Sequence, residues 1–311
     1  MNSPLDLDLV FVTGKGGVGK TTVAAALAEV AARRSGRVLV CEMDAKGALA
    51  TAYEVAELAF EPTEVEPNLF AMSMSTEESL REYLRLYVKI PLVGRIGPLA
   101  STFDFVADAA PGVKEILAVG KLCWEVRERH YDLVVVDAEA SGHVVSQIGA
   151  AKVIADLIQV GVVREQTQWM RNILEDPERT GVVVVTTPEE MPVTESIELL
   201  ERLEADTGTH AAAVIANRVL PSMFSRAEQP LAAAIASSPD ALVGELGDGA
   251  LAVVEASSIV EARRSLGATH LERLRGAIGG LDVYTVPELF SRGHGRRVVS
   301  LVADGLDEEL G

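Results

Sequence analysis

Cysteine is almost missing: Cys41 and Cys123 are the two in 311 residues, and no CxxC occurs. A disulfide framework, a four-cysteine zinc site and an iron–sulfur cluster each need more thiols than this. The pair reads as two buried thiols in a reducing cytoplasm. Aromatic residues make up 5% of the chain, so Ala and Val must carry the core. Basic residues are outnumbered, 28 Lys and Arg against 46 Asp and Glu, for a net charge of −18. That balance excludes a phosphate-tracking stripe for nucleic acid or an anionic membrane, and otherwise serves solubility. No uncharged apolar run reaches about 18 residues, so no membrane span is expected. The start "MNSPLDLDLV" lacks a basic region and does not read as a signal peptide. The five histidines show no ligand spacing.

Short apolar runs are plentiful. Leu9–Thr13, Val38–Glu42, Leu69–Met74, Leu133–Asp137, Val182–Thr187, Ala212–Asn217 and Leu281–Val286 are apolar at nearly every position. Such strands are buried on both faces, as in a parallel sheet covered by helices. Helical patterns alternate with them at Thr21–Arg33, Ser146–Gln159, Val193–Asp206, Ser222–Ala236, Ser257–Gly276 and Arg296–Leu306. The alternation predicts an α/β fold with a doubly wound, mostly parallel sheet. Residues 76–130 break it. They contain no convincing strand and read as an inserted helical subdomain within one domain spanning 1–311, with 163–180 a candidate second piece. Ser75 and Glu78 have the spacing of a capping box at its start. Met72 and Met74 alternate as packing residues would. "GRIGPLASTFDFV", at 94–106, is apolar enough to pack within the subdomain or to face a client.

"VFVTGKGGVGKTT" runs from Val10 to Thr22. Gly14-Lys15-Gly16-Gly17-Val18-Gly19-Lys20-Thr21 satisfies GxxxxGK[ST], after an apolar strand and before an Ala-rich helix. Glycines leave room for phosphate oxygens, and backbone N–H groups with the helix N-terminus bind them. Lys20 is expected at the β- and γ-phosphates, Thr21 on Mg²⁺ and Thr22 near the α-phosphate. A rival remains. Gly14, Gly16 and Gly19 also spell GxGxxG, and Glu42 ends the next strand, where a dinucleotide fold places its ribose acid. That reading gives no reason for Lys20-Thr21 at the helix start.

"LVVVDAEASGH" ends a strand at Asp137, a position for a carboxylate that holds Mg²⁺ through water. Ser141, Gly142 and His143 follow where a γ-phosphate sensor belongs. Asp44, with Ala45, Lys46 and Gly47, forms a first switch. Asp44 is the candidate to orient or deprotonate the attacking water, with Glu42 as backup.

Lys15 is surplus to this motif. KGGVGKTT, with a lysine straight after the first glycine, resembles the deviant phosphate loop of a dimeric NTPase class that includes partition, septum-placement and nitrogenase-reductase ATPases. "DAEASGH" resembles the DTAPTGH switch of the arsenical pump-driving and tail-anchored-protein-targeting ATPase family. "AAPGVKEILAVGKL", "VVVTTPEEMPVTES", "VIANRVLP" and "VPELF" are similar to further segments of that family, in order along nearly the whole chain. The likeness is greatest to an actinobacterial branch in which two paralogous ATPases pair. It implies ATP and Mg²⁺ as cofactors and a homodimer or a heterodimer with a paralogue. Asn217 would read adenine, with Pro287 and Glu288 in the adenine loop. Lys15 would cross to the partner's ATP like an arginine finger.

Departures narrow this. The family's DPAHN is here DAKGA, so slow or differently tuned hydrolysis is expected. The absence of CxxC argues against a zinc clamp, and two scattered cysteines against metalloid binding. The expected function is an ATP-hydrolysing dimeric switch that handles a hydrophobic client or membrane-protein partner. It would be cytoplasmic, or peripheral at a membrane through that partner. The alternatives are an energising subunit of an anion pump, a weakly hydrolysing regulatory subunit, and a partition-type positioning ATPase. The last lacks a basic patch, and its tail "VADGLDEELG" is acidic.

Overall fold

A computed structural model describes residues 3–34, 36–44, 46–83, 113–157, 162–237, 249–290 and 293–311. Eight strands form one sheet: β1 (Leu9–Gly14), β2 (Val38–Glu42), β3 (Thr63–Glu66), β4 (Leu69–Ser73), β5 (Leu133–Asp137), β6 (Thr180–Thr186), β7 (Ala211–Val219) and β8 (Val283–Pro287). Their spatial order is β3-β4-β2-β5-β1-β6-β7-β8. Every described pairing is parallel except the antiparallel β3–β4 edge. The apolar runs give every strand but β3. That strand reads TEVE, with Thr63 and Glu64 exposed and Val65 half-buried against the first core, and it pairs antiparallel with β4.

Period-2 alternation explains why the strands are apolar throughout. Val10 and Val12 of β1 face one core, with Val38, Val40, Val135, Val183 and Ile215. Leu9 and Phe11 face the other, with Leu39, Cys41, Val134, Val136 and Val214. The first core is closed by α1 (Lys20–Arg33), the short α2 (Ala48–Ala52) and α10 (Arg296–Leu310). The second is closed by α4 (Val113–Arg127), α5 (Ser141–Leu157), α6 (Val162–Leu174), α7 (Glu190–Thr207) and α9 (Gly249–Ala277). Scarce aromatics are no handicap, because Ala24, Ala25, Ala26 and Ala28 let α1 approach the sheet closely.

Three helix starts differ from the sequence pattern by five residues or more. The helix expected at Ser146 begins at Ser141, that expected at Ser257 begins at Gly249, and the Ser222–Ala236 pattern yields α8 over Gln229–Ser237 alone. Before α8, Ser225 and Glu228 close a turn, with the Ser225 N–H donating to Glu228 Oε2 at 2.8 Å.

Of the helical stretch at 76–130, α3 (Thr76–Tyr83) and α4 are described. The Glu78 N–H donates to Ser75 Oγ at 3.3 Å, half of the expected capping box. Met72 and Met74 are buried, as packing residues. The candidate client surface at 94–106 and Ala45 lie outside the described residues. Lys121 of α4 is buried between Glu82 of α3 (2.9 Å) and Glu125 (2.6 Å), its ammonium against the Trp124 and Phe60 rings.

Candidate nucleotide site

The strand order reverses at β1, between β5 and β6. In an open α/β sheet that switch point opens a crevice at the carboxyl ends of the strands. The register brings Val12, Asp137 and Glu42 level across β1, β5 and β2, so the chain beyond each emerges at one edge.

The loop from Gly14 to Gly19 lies in this crevice. A Cβ on Gly14 would fall 2.1 Å from the Val185 carbonyl oxygen, so glycine is required where β1 runs beside β6. Gly19 has φ +94°, and a Cβ there would fall 2.4 Å from Asn217 Nδ2. At Gly16 and Gly17 a Cβ would meet nothing within 4 Å, and both are exposed. The loop is thus tight against the protein at its ends and open to solvent at its crown. α1 starts from Gly19 with no side-chain cap, so its first N–H groups remain for an anion. Lys20 Nζ donates back to the Lys15 carbonyl at 3.3 Å. Burial lowers its pKa against the pull of Asp137.

Thr21 Oγ1 donates to Asp137 Oδ2 at 2.6 Å. Asp137 is buried, and burial raises its pKa to about 6 against the Thr21 hydrogen bond and the Lys20 charge. Beside it, Glu42 is 2% exposed. Its Oε1 accepts from the Ala48 N–H at 2.8 Å, and its Oε2 has no partner among the described residues. Asp44 is exposed and forms an ion pair with Lys46, which raises the pKa of Lys46. The second switch is anchored by Thr13, whose hydroxyl donates to the Glu139 carbonyl at 2.9 Å, and by Gln147, which donates to Glu139 Oε1 at 2.8 Å. Ser141, Gly142 and His143 form the first turn of α5 rather than a free loop.

A hydroxyl and a carboxylate already in contact, with an orphaned carboxylate oxygen nearby, suit a small hard cation. No set of three or more His, Cys, Asp or Glu among the described residues forms a complete cage. Thr21 and Asp137 offer one or two ligands, which suits Mg²⁺ completed by phosphate and water.

Asn217 is buried at the end of β7, but its amide donates to the Val18 carbonyl at 2.8 Å and its Oδ1 accepts from the Arg218 N–H. Here it braces the phosphate loop. Pro287 ends β8, and the Glu288 N–H donates to the Val219 carbonyl at 2.9 Å, so the two segments expected at the base meet. A cavity of about 580 Å³ opens beside them, lined in part by Arg218, Glu288, Leu271 and Phe290. A second, of about 460 Å³, lies behind the first switch between Glu42, Lys46, Phe60 and Met74.

Lys15 has a partner that its motif does not announce: in the single chain it forms an ion pair with Glu195 of α7. Glu195 has no place in the phosphate-loop motif. Its only sequence signal is its position in "VVVTTPEEMPVTES".

A family model described as anion-transporting ATPase matches residues 7–160 and 147–229. ATPase BagA of Mycobacterium tuberculosis is 30% identical over 244 residues, covering 75% of this chain and 71% of that protein. A putative arsenical pump-driving ATPase of Halobacterium salinarum is 26% identical over 237 residues, 69% of this chain and 36% of that protein. An ATPase ASNA1 homolog of Entamoeba dispar is 24% identical over 254 residues, 69% of this chain and 77% of that protein.

Proposed function

This chain belongs to the anion-transporting ATPase family, and on that premise we propose that it is a Mg²⁺-dependent ATPase that works as a nucleotide-bridged pair of protomers. The observation that carries the reading is Thr21 against Asp137 at 2.6 Å, beneath an uncapped helix start that also presents Lys20. Lys20 neutralises charge on the β- and γ-phosphates. Thr21 and Asp137 are the residues that would hold Mg²⁺, which would supply neutralisation of the phosphate charge. Asp44 orients the water that attacks the γ-phosphorus, once Lys46 has left it for the phosphate. Lys15 of one protomer completes the site of the other. The second switch then reports hydrolysis through Thr13, Glu139 and Gln147. The first reports it through the cavity between Lys46 and Phe60, whose ring abuts Lys121. Both routes end on α4 or α5, against which a hydrophobic client or a membrane partner is held by the 76–130 subdomain.

Other readings fit less well. Soft metalloid binding needs thiolates. Cys41 and Cys123 are fully buried, and burial pushes both thiols up, Cys123 to about 12. The apolar face of α10 is not available to a membrane surface, since its Val299, Val302, Ala303 and Leu306 are buried in the core. One observation favours a slow, regulatory ATPase: Asp44 rests on Lys46. Steady-state phosphate release tests all of this. Turnover should depend on Mg²⁺ and fall by about two orders of magnitude in Lys20→Ala. Equal release by that variant would sink the assignment, and a wild-type rate near background would favour the regulatory reading.

A further inference from the structure

Lys15 and Glu195 are 180 residues apart in sequence and meet as an ion pair, each side chain about one-third exposed. The two ends of that contact are built differently. Glu195 lies in the second turn of α7, which is fixed on several sides. Val193 is fully buried, Ser196 Oγ donates to the Pro192 carbonyl at 2.7 Å, and Arg273 of α9 donates to Thr194 Oγ1 at 2.9 Å. Lys15 sits at the rim of the phosphate loop next to Gly16, whose surroundings are open. Among the described residues it has no other ion-pair partner. Glu195 is the fixed post and Lys15 the movable arm.

We propose that Glu195 is a positioning residue, a latch within the protomer that keeps Lys15 folded back until a second protomer presents a bound triphosphate. This rests on the trans role of Lys15 given above. One ammonium cannot sit on Glu195 of its own chain and on the phosphates of another. Closure of the pair therefore begins by breaking this contact. An ion pair one-third exposed is a weak hold, and a triphosphate carries several negative charges against one on the carboxylate, so the partner's nucleotide wins the exchange. Nucleotide bound in the same protomer leaves the latch in place, since Lys20 already serves those phosphates. The latch thus sets the protomer concentration at which ATP closes the pair, and keeps single protomers inactive below it.

The test uses full-length protein and Glu195→Gln, which keeps the side-chain volume and removes the charge. Without nucleotide, Lys15 is pulse-acetylated with acetic anhydride and read by mass spectrometry against Lys152. Sedimentation then gives the midpoint of self-association with a non-hydrolysable ATP analogue. Glu195→Gln should speed Lys15 acetylation and lower the midpoint by about twofold to fivefold, the scale of an exposed pair. The drop should vanish when Lys15→Ala is added. Equal acetylation in the two proteins, or a midpoint that does not fall, overturns the latch. A Lys15→Ala protein that associates like wild type overturns the trans reading itself. Loss of association in Lys15→Ala with no change in Glu195→Gln overturns the latch alone.

Discussion

At the scale of single residues, burial decides more than charge count. Asp137 lies beside Lys20 and accepts from Thr21, both of which favour its ionised form, yet burial pushes its pKa up to about 6 from the ordinary carboxylate value of 3.8. Removal from water outweighs both. The native chain therefore holds a proton here that the unfolded chain has released, across the window between the two values. Stability falls as pH rises through that window, and the cost of the buried charge is fully present above it. In protein free of nucleotide and metal, Asp137→Asn should raise the melting temperature at pH 7.5 and have little effect at pH 4. The same variant should lose the stabilisation that Mg²⁺ and ATP confer on wild type. Thermal scans at both pH values check this. A lower melting temperature at pH 7.5 would mean that the ionised carboxylate is stabilised by contacts stronger than its desolvation.

At the scale of elements, the strands were the easiest to read, because burial on both faces leaves a run of apolar residues that no polar periodicity interrupts. β3 has no such run for the converse reason: Thr63–Glu66 carries a single apolar residue, Val65, too weak a signal to mark a strand that pairs only at the sheet edge with β4. The start of α5 was set five residues late because Ser141-Gly142-His143 is polar and contains a glycine, so helical periodicity begins only beyond it. The Lys121 cluster could not be read at all, since Glu82 and Lys121 are 39 residues apart. It joins α3 to α4, and removing one member strands buried charge. Lys121→Met should cost roughly 3 kcal/mol at neutral pH. Urea unfolding followed by tryptophan fluorescence reports it directly, since Trp124 lies against the Lys121 ammonium. A neutral or stabilising result would show that the apolar setting repacks around methionine.

At the scale of the whole molecule, a net charge of −18 sets the terms of the proposed pairing. Two identical protomers repel one another at long range, and that repulsion decays over a Debye length of roughly 10 Å at 0.1 M salt. Nucleotide-driven self-association should therefore strengthen as salt rises from about 0.01 M to about 0.15 M, in contrast to a pair held by complementary surface charge. Sedimentation across a salt series measures it. Association that weakens with salt would show that local attraction at the interface outweighs the net charge.

The sequence by itself determined the phosphate loop, the strand tips that carry Glu42 and Asp137, and the two-faced sheet. Each is a local pattern: glycines at fixed spacing, a lysine and a threonine at a helix start, an apolar run ending in an acid. What joins distant segments was settled only by the tertiary structure. Asn217 turns onto the loop at Val18, burial raises the pKa of Asp137, and Lys15 rests on Glu195 of its own chain. Spacing along the chain tells which groups a loop carries. Where a long, flexible side chain rests depends on which charge the fold brings within its reach.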